Sequence, residues 1–468
     1  MSMKRKIMLT LGICTFIGLP AVAQTTLTID QARQEALTAN KDISKSRLIL
    51  EKNTLDMKAF KTNYYPRIDL VATDFWSNAK ADLSLKGGNL PIYVLNPATG
   101  QYVPNVTVNA DGSYTMNQYA YFPDQSYEMK VKNMLMAGVV LQQPLYMGGK
   151  INAAYHMSKI GREMAHANIR LSQTEVITKT DEAYTLAVKA KELKTVAEAY
   201  TKLLVELKKN VDSAVRHGLK NRNDLLKVQV KLNEAELSVQ KAENAWTLAC
   251  MNLCHMIGKP LDTQLDVSSQ LPEVQIDLAG QTDLSKRPES NLLAKKVDLA
   301  GEQVKLQKSE YLPNLGLFAS YDYANGGEIA GKQLINNGAI TVGVTLKVPI
   351  LNFGESTHKI RSAKVQQQIT MLEQADLNEQ MTLELQQARN NCVEAQTEAQ
   401  MTLKSLEQAE ENLKLSRAQY DVGMEPLSDL LDAQAIWQQS AANVINARCA
   451  LFLTWTKYQK AAGILCTE

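Results

Sequence analysis

Cys250, Cys254 and His255 bring three metal-ligating side chains into six residues. Positions 250 and 254 share a face if the segment is helical. Their spacing is not that of a common zinc module, and small apolar side chains four apart suit a helix core equally well. The other histidines, His156, His166, His217 and His358, are scattered. With no glycine-rich phosphate loop and no nucleophile elbow, no constellation for catalysis is present. A protein without enzymatic activity, metal or cofactor is expected. Cys392, Cys449 and Cys466 bring the cysteines beyond residue 23 to five, an odd number that argues against a disulfide framework.

Repetition, rather than a reactive cluster, organises the chain. Asn40-Lys41-Asp42 and Tyr64-Tyr65-Pro66 return 247 residues later as Arg287-Pro288-Glu289 and Tyr311-Leu312-Pro313. Gly138, Leu141, Pro144, Gly149, Gly218, Asp224-Leu225-Leu226, Gln229 and Gly258 return 205 residues later, ending at Gly463. Two copies of one unit are expected to sit side by side around a common axis.

Residues 1–23 have a basic start (Lys4, Arg5, Lys6), an apolar stretch from Ile7 to Leu19 and Ala21-Val22-Ala23 before Gln24, the pattern of a secretory signal peptide. Cys14 follows Ile13 rather than a small residue, so no lipid anchor is expected. The chain has 51 basic and 49 acidic residues, and without Lys4, Arg5 and Lys6 the balance is 48 to 49. Nothing in that balance suggests a polyanion partner such as nucleic acid, and none is expected. Beyond the leader no apolar run approaches the roughly 20 residues of a membrane helix. A membrane crossing would have to use strands.

From Glu355 to Val422 there is neither proline nor glycine. A helix of that length extends about 100 Å. Leu186, Leu193, Tyr200, Leu207 and Ala214 recur every seven residues with Ala190, Ala197, Leu204 and Val211 between them. The second copy repeats this with Leu385, Cys392, Ala399, Leu406, Leu413 and Tyr420, interleaved by Ala388, Ala395, Ala409 and Ser416. These are coiled-coil seams.

Ahead of its long helices each copy carries an insert, Pro66 to Pro144 and Pro313 to Pro349. In the second, Leu315, Leu317, Ala319, Tyr321 and Tyr323 alternate with small or polar residues. A turn-rich patch follows (Asn325-Gly326-Gly327, Asn336-Asn337-Gly338), then Ile340, Val342, Val344, Leu346 and Val348. The first insert predicts strands at Ile68 to Trp76 and about Leu135 to Gln143, with 42 extra residues between them as a surface loop. Alternation of this kind fits either a sheet with one wet face or a membrane barrel. Segments of about ten residues, aromatic residues near strand ends and an export signal favour the barrel. Two strands per copy cannot close one, since lipid tolerates no open edge and the smallest barrels use about eight strands. Several chains are therefore expected to share the wall.

The sequence resembles the TolC family of outer membrane efflux proteins over nearly the whole chain beyond the leader. The resemblance rests on Leu27-x4-Ala32-x3-Ala36-Leu37-x2-Asn40, Tyr-x-Pro before each first strand, Pro-[Leu/Ile]-x3-Gly after each second strand, and Gly-x5-Asp-Leu-Leu-x2-Gln after each long helix. It implies a mainly α chain with a membrane β-barrel portion: a homotrimer of twelve strands, four from each chain, above a periplasmic α-barrel of coiled-coil helices. Such channels are gated at the periplasmic tip, where they meet a periplasmic adaptor and, through it, an inner membrane pump.

Segment by segment, the expectation is a signal peptide at 1–23, a helical segment at 24–65 and a strand pair with its long loop at 66–148. A hairpin at 149–259 and a linker at 260–285 follow, then a helix at 286–312, a strand pair at 313–353, and a hairpin with its tail at 354–468. The resemblance further implies that Asp429 and Asp432 form the pore constriction, Lys227 replacing the second acid in the first copy. Gly218, Leu219, Val422, Gly423 and Met424 become adaptor-docking tips. Asp224 is expected to cap the helix after the first turn. The family's basic latch residue is replaced by Glu425. A latch of reversed polarity is therefore expected, with Tyr420 retained and Lys220 or Arg222 paired to Glu425 or Asp421. The competing reading is a soluble periplasmic coiled-coil adaptor or scaffold, which should have one hairpin where this chain has two.

Overall fold

The computed structural model describes residues 26–274 and 283–465, so the expected signal peptide, Cys466 and part of the 260–285 linker lie outside the described residues. Two compact units result, one of residues up to Leu55, Lys159–Ala300 and Gln366 onward, the other of Asp56–Ser158 and Gly301–Val365. The helices are α1 (Ile29–Ala39), α2 (Lys41–Lys61), α3 (Lys150–Arg216), α4 (Arg222–Ile257), α5 (Pro288–Ser309), α6 (Glu355–Asp421) and α7 (Leu427–Ala461). α3 and α6 have 67 residues each, about 100 Å at 1.5 Å per residue. No described helix is long and apolar enough to cross a membrane.

The second unit is built on a sheet of β1 (Arg67–Trp76), β9 (Gln125–Met147), β10 (Asn314–Ile329) and β11 (Lys332–Lys347), in that order and antiparallel throughout. β1 pairs with β9 from Arg67↔Gln142 to Trp76↔Asn133, and β10 with β11 through the equivalent positions from Asn314↔Lys347 to Tyr323↔Gly338. The two sequence offsets therefore carry one strand pair onto the other without a slip. Because paired residues share a face, the register collects Ile68, Leu70, Val139, Leu141, Leu317, Val342, Val344 and Leu346 on one side. Arg67, Asp69, Gln142, Ser320, Asp322, Thr341, Thr345 and Lys347 lie on the other.

Two expectations for this unit change. The Asn-Gly patches at 325–327 and 336–338 are strand, not turn, and the chain reverses at Ala330 and Gly331, with φ of 49° and 80°. Side chains sustain the longer strands: Tyr323 Oη donates to Asn336 Oδ1 at 2.8 Å, and Gln333 Nε2 to Asn325 Oδ1 at 2.6 Å. The 42-residue excess is not an irregular loop. It folds into β2 (Lys80–Leu85) against β9, then β3 (Gly88–Pro91) with β8 (Tyr119–Phe122). Two small hairpins complete it, β4 (Tyr93–Leu95) with β5 (Tyr102–Pro104) and β6 (Val106–Val108) with β7 (Tyr114–Met116). Its Tyr and Val residues supply the strand preference that its Asn and Gly residues obscure in the sequence.

In the first unit the seams pack as alternating small and large residues. Ala190, Ala197, Tyr200, Leu204, Leu207 and Val211 are buried on α3, and Ala388, Cys392, Ala395, Ala409 and Ser416 on α6. Leu186 departs from the expected seam and is 49% exposed, because Ala183, Tyr184, Ala187 and Val188 turn inward to a core shared with Ile29, Ala32 and Ala36 of α1. Tyr184 donates from Oη to the carbonyls of Leu27 (2.9 Å) and Ser268 (3.1 Å), and burial pushes its hydroxyl up to about 12. Burial likewise pushes the thiols of Cys250 and Cys449 up to about 11, leaving them protonated at neutral pH.

Asp181 is fully buried on α3. It accepts from Arg33 Nε and Nη2 at 2.7 and 2.6 Å and from Thr456 Oγ1 at 2.9 Å, tying α1, α3 and α7. Removing the cation strands a buried carboxylate. Arg33→Met is expected to destabilise this unit by about 3 kcal/mol, seen as a lower helix-melting temperature by circular dichroism; an unchanged melting curve would refute the role.

Candidate functional site

Residues singled out from the sequence gather at two helix–turn–helix ends of the first unit, between α3 and α4 and between α6 and α7. One device builds both turns. The Leu219 amide donates to the Ala214 carbonyl at 2.9 Å and the Gly218 amide to Val215 at 3.0 Å. Met424 donates to Gln419 at 2.9 Å and Gly423 to Tyr420 at 3.1 Å. This pair of hydrogen bonds from the residues after a helix back to its last turn requires a left-handed residue, which Gly218 (φ 74°) and Gly423 (φ 78°) provide. Beyond them Leu219 and Met424 are 76% and 83% exposed, and Val422 is also exposed.

Asp224 does not cap α4. Asn221 already holds the extended backbone of the cap position, without a side-chain capping bond, and Asp224 lies three residues on with its amide bonded to the Asn221 carbonyl at 3.1 Å. Asp429 occupies the same third position in α7, behind Pro426. At that position a carboxylate stabilises the helix start through the free amides and the dipole, a contribution of a few tenths of a kcal/mol to about 1 kcal/mol.

The side chains that meet across the turns are Lys220 and Tyr420, the ammonium standing 4.7 Å from the ring centroid. Burial, followed by repulsion from Asp224 and Asp421, raises the Tyr420 hydroxyl above its ordinary value, so the ring beneath the ammonium is a neutral phenol. The expected ion pairs are not formed within the chain. Among the described residues no contact within 4.0 Å joins Lys220 or Arg222 to Glu425 or Asp421. Asp421 and Arg222 point to solvent, while Glu425 is half-buried with Oε2 enclosed and unpartnered, so the lysine takes the aromatic face instead. The retained tyrosine and the lysine two after Gly218 are both visible in the sequence; their pairing is not.

Asp429 and Asp432 are three apart in the first turns of α7, on one face, and both exposed. Ser428 Oγ donates to Asp429 Oδ1 at 2.9 Å, and neither carboxylate has an ion-pair partner among the described residues. In the first copy Asp224 is half-buried and Lys227 exposed, so the two exposed acids are a property of the second copy. Behind the turns Tyr200, Leu204, Leu207, Val211, Val228 and Leu232 form one core with Leu427, Leu430 and Leu431. That core holds the start of α7 against the α3–α4 hairpin.

The chain matches the family described as outer membrane efflux protein over residues 32–259 and 281–463. Alkaline protease secretion protein AprF of Pseudomonas aeruginosa is 24% identical over 76% of this chain and 74% of its own length. Outer membrane protein TolC of Vibrio cholerae is 24% identical over 76% and 82%. Among solved structures, the CmeC outer membrane channel of Campylobacter jejuni aligns with a TM-score of 0.72 at 17% identity, covering 93% of this chain and 86% of that one.

Added Cβ atoms at Gly218 and Gly423 would meet nothing within 4 Å, so only the backbone demands glycine there. Gly423→Ala is expected to cost the turn about 1 kcal/mol. Amide hydrogen exchange at Met424 should then quicken about fivefold, with the α6 interior unaffected.

Proposed function

Since the chain belongs to the outer membrane efflux protein family and is an outer membrane channel of TolC type in efflux or secretion, we propose that it is the exit duct of a tripartite system. Three copies surround one pore, which is closed at the periplasmic tip and opened there by docking of a periplasmic adaptor and an inner membrane pump. The observation that carries this is the β1-β9-β10-β11 sheet, one face apolar at Ile68, Leu70, Leu141, Val342 and Val344 and the other bearing Arg67, Asp69, Gln142, Asp322 and Lys347 among Val71, Val140 and Phe318, with no strand among the described residues paired to the outer edge of β1 or β11. β1 has ten residues, the length of a tilted membrane strand. Hydrocarbon leaves no water for free edges, so neighbouring copies complete the wall, twelve strands in all. The same sorted sheet argues against a soluble adaptor or scaffold.

At the tip, Lys220 over Tyr420 is the latch, with Arg222, Asp421 and Glu425 beside it. A cation–π contact at such an exposed place contributes roughly 0.5–1 kcal/mol, weak enough for a partner to release. Leu219, Val422 and Met424, around Gly218 and Gly423, offer the adaptor an apolar footing. Asp429 and Asp432 of three copies make a ring of carboxylates that attracts cations and slows their passage.

Single-channel recording in planar bilayers tests both parts. Asp429→Ala with Asp432→Ala should abolish block by a multivalent cation added on the periplasmic side; undiminished block would remove the ring. Lys220→Gln should raise the closed-state conductance, and an unchanged conductance would remove the latch.

A further inference from the structure

The repeat fixes more than the pairing inside one chain. Offsets of 247 and 205 residues carry all ten β1–β9 pairs onto β10–β11 pairs without a shift. The sheet has a third seam, β9 with β10, which joins the second strand of one copy to the first strand of the next. Applied to that seam, the same offsets lead out of the chain, from β11 to a β1 that must belong to another molecule. The open edges of β11 and β1 are thus the two halves of a seam whose pattern is already present once.

In the internal seam Phe318↔Gln142, Ser320↔Val140 and Asp322↔Gly138 are partners. Their images are Val71↔Lys347, Thr73↔Thr345 and Phe75↔Gly343. Face parity agrees at each position, since Val71, Thr73 and Phe75 share the polar face of the sheet with Thr345, Lys347 and Gly343. A slip of one residue would turn one strand's apolar side chains to the wrong face, so only slips of two compete.

The glycine decides among those. Within the chain Gly343 lies opposite Phe318, whose ring already occupies the space of a Cβ: an atom built there would stand 2.6 Å from Phe318 Cζ. Its counterpart Gly138 is crowded from its third-seam neighbour by Asp322 Oδ1. Both glycines thus lie under side chains of adjacent strands, a carboxylate over Gly138 and an aromatic ring over Gly343, the second being the arrangement in which an aromatic ring shields a strand glycine. Phe75, partly exposed on the open edge, is the image of Asp322.

We propose that β11 pairs with β1 of the next copy in the register Val71↔Lys347, Thr73↔Thr345 and Phe75↔Gly343. Phe75 then closes over Gly343 from the side opposite Phe318, an aromatic clasp facing the lumen at every junction between copies. The proposal rests on the reading that several copies close one barrel, and the experiment separates the two. Double variants Thr73→Cys/Thr345→Cys, Thr73→Cys/Gly343→Cys and Thr73→Cys/Lys347→Cys are inserted into the outer membrane, oxidised and resolved in SDS without reductant, each with its single-cysteine controls. Detergent-solubilised protein is sized in parallel.

The 73/345 pair should give the covalent trimer in several-fold greater yield than either shifted pair. A trimer in detergent whose strongest link is a shifted pair would overturn the register and leave the barrel standing. A monomer with no link from any pair would overturn both. Ala72→Cys/Leu346→Cys, on the apolar face of the same register, must also link, and its failure in a well-inserted trimer counts against the register even where 73/345 folds poorly. Phe75→Ala should lower the temperature at which the trimer dissociates in SDS while Phe75→Tyr preserves it; equal temperatures would overturn the clasp.

Discussion

Every backbone amide and carbonyl in hydrocarbon needs a partner, because no water is present to supply one. That constraint governs the strand unit. Among the described residues β1, β9, β10 and β11 make three seams, with β2 added on β9, and leave one edge of β1 and one of β11 open. Soluble proteins guard an open edge with charge, proline or a bulge. Here, from Thr341 to Leu346, β11 instead places Val342, Val344 and Leu346 on the apolar face and carries no charge at all. Such an edge suits a wall that another copy extends.

Much of this was legible because the repeat is written in residues that fix backbone geometry. Gly218 and Gly423 hold the same left-handed turn, and Gly258 and Gly463 end α4 and follow α7 with φ of 75° and 74°. Equivalent positions of different chemistry still bind the same place, since Asn40 Nδ2 donates to the Met256 carbonyl at 3.0 Å and Arg287 Nη1, its image, to the Ala461 carbonyl at 3.4 Å. Position 256 maps onto 461 by the same offset that relates the turns. The duplication thus preserved which helix end is bound, and let the donor change.

Where the sequence misled, a local signal was overruled by a partner distant in the chain. Asn325-Gly326 and Asn336-Asn337 are turn signals taken alone, but opposite one another they bond across the strands and lengthen the sheet to Ala330. Asp224 had the composition of a cap and lost the position to Asn221, since the turn closes earlier than the acid. Lys220, expected to meet a carboxylate, meets a ring. Charge pattern names the groups available at a turn; only the packing of Tyr420, half withdrawn from solvent, decides which one the lysine meets.

The two turns share a backbone and differ in what surrounds it. Leu430 and Leu431 are buried in the core with Val211 and Val228, whereas Leu226, the image of Leu431, is exposed. Fully burying a leucine stabilises by roughly 1.5–3 kcal/mol, several times the worth of one exposed cation–π contact. A force able to part Lys220 from Tyr420 therefore leaves the start of α7 docked on the α3–α4 hairpin. Any rearrangement confined to the turns can move Asp429 and Asp432 only as far as that leucine core permits, so opening on this reading is a movement of whole hairpins, with the turns as their releasable ends.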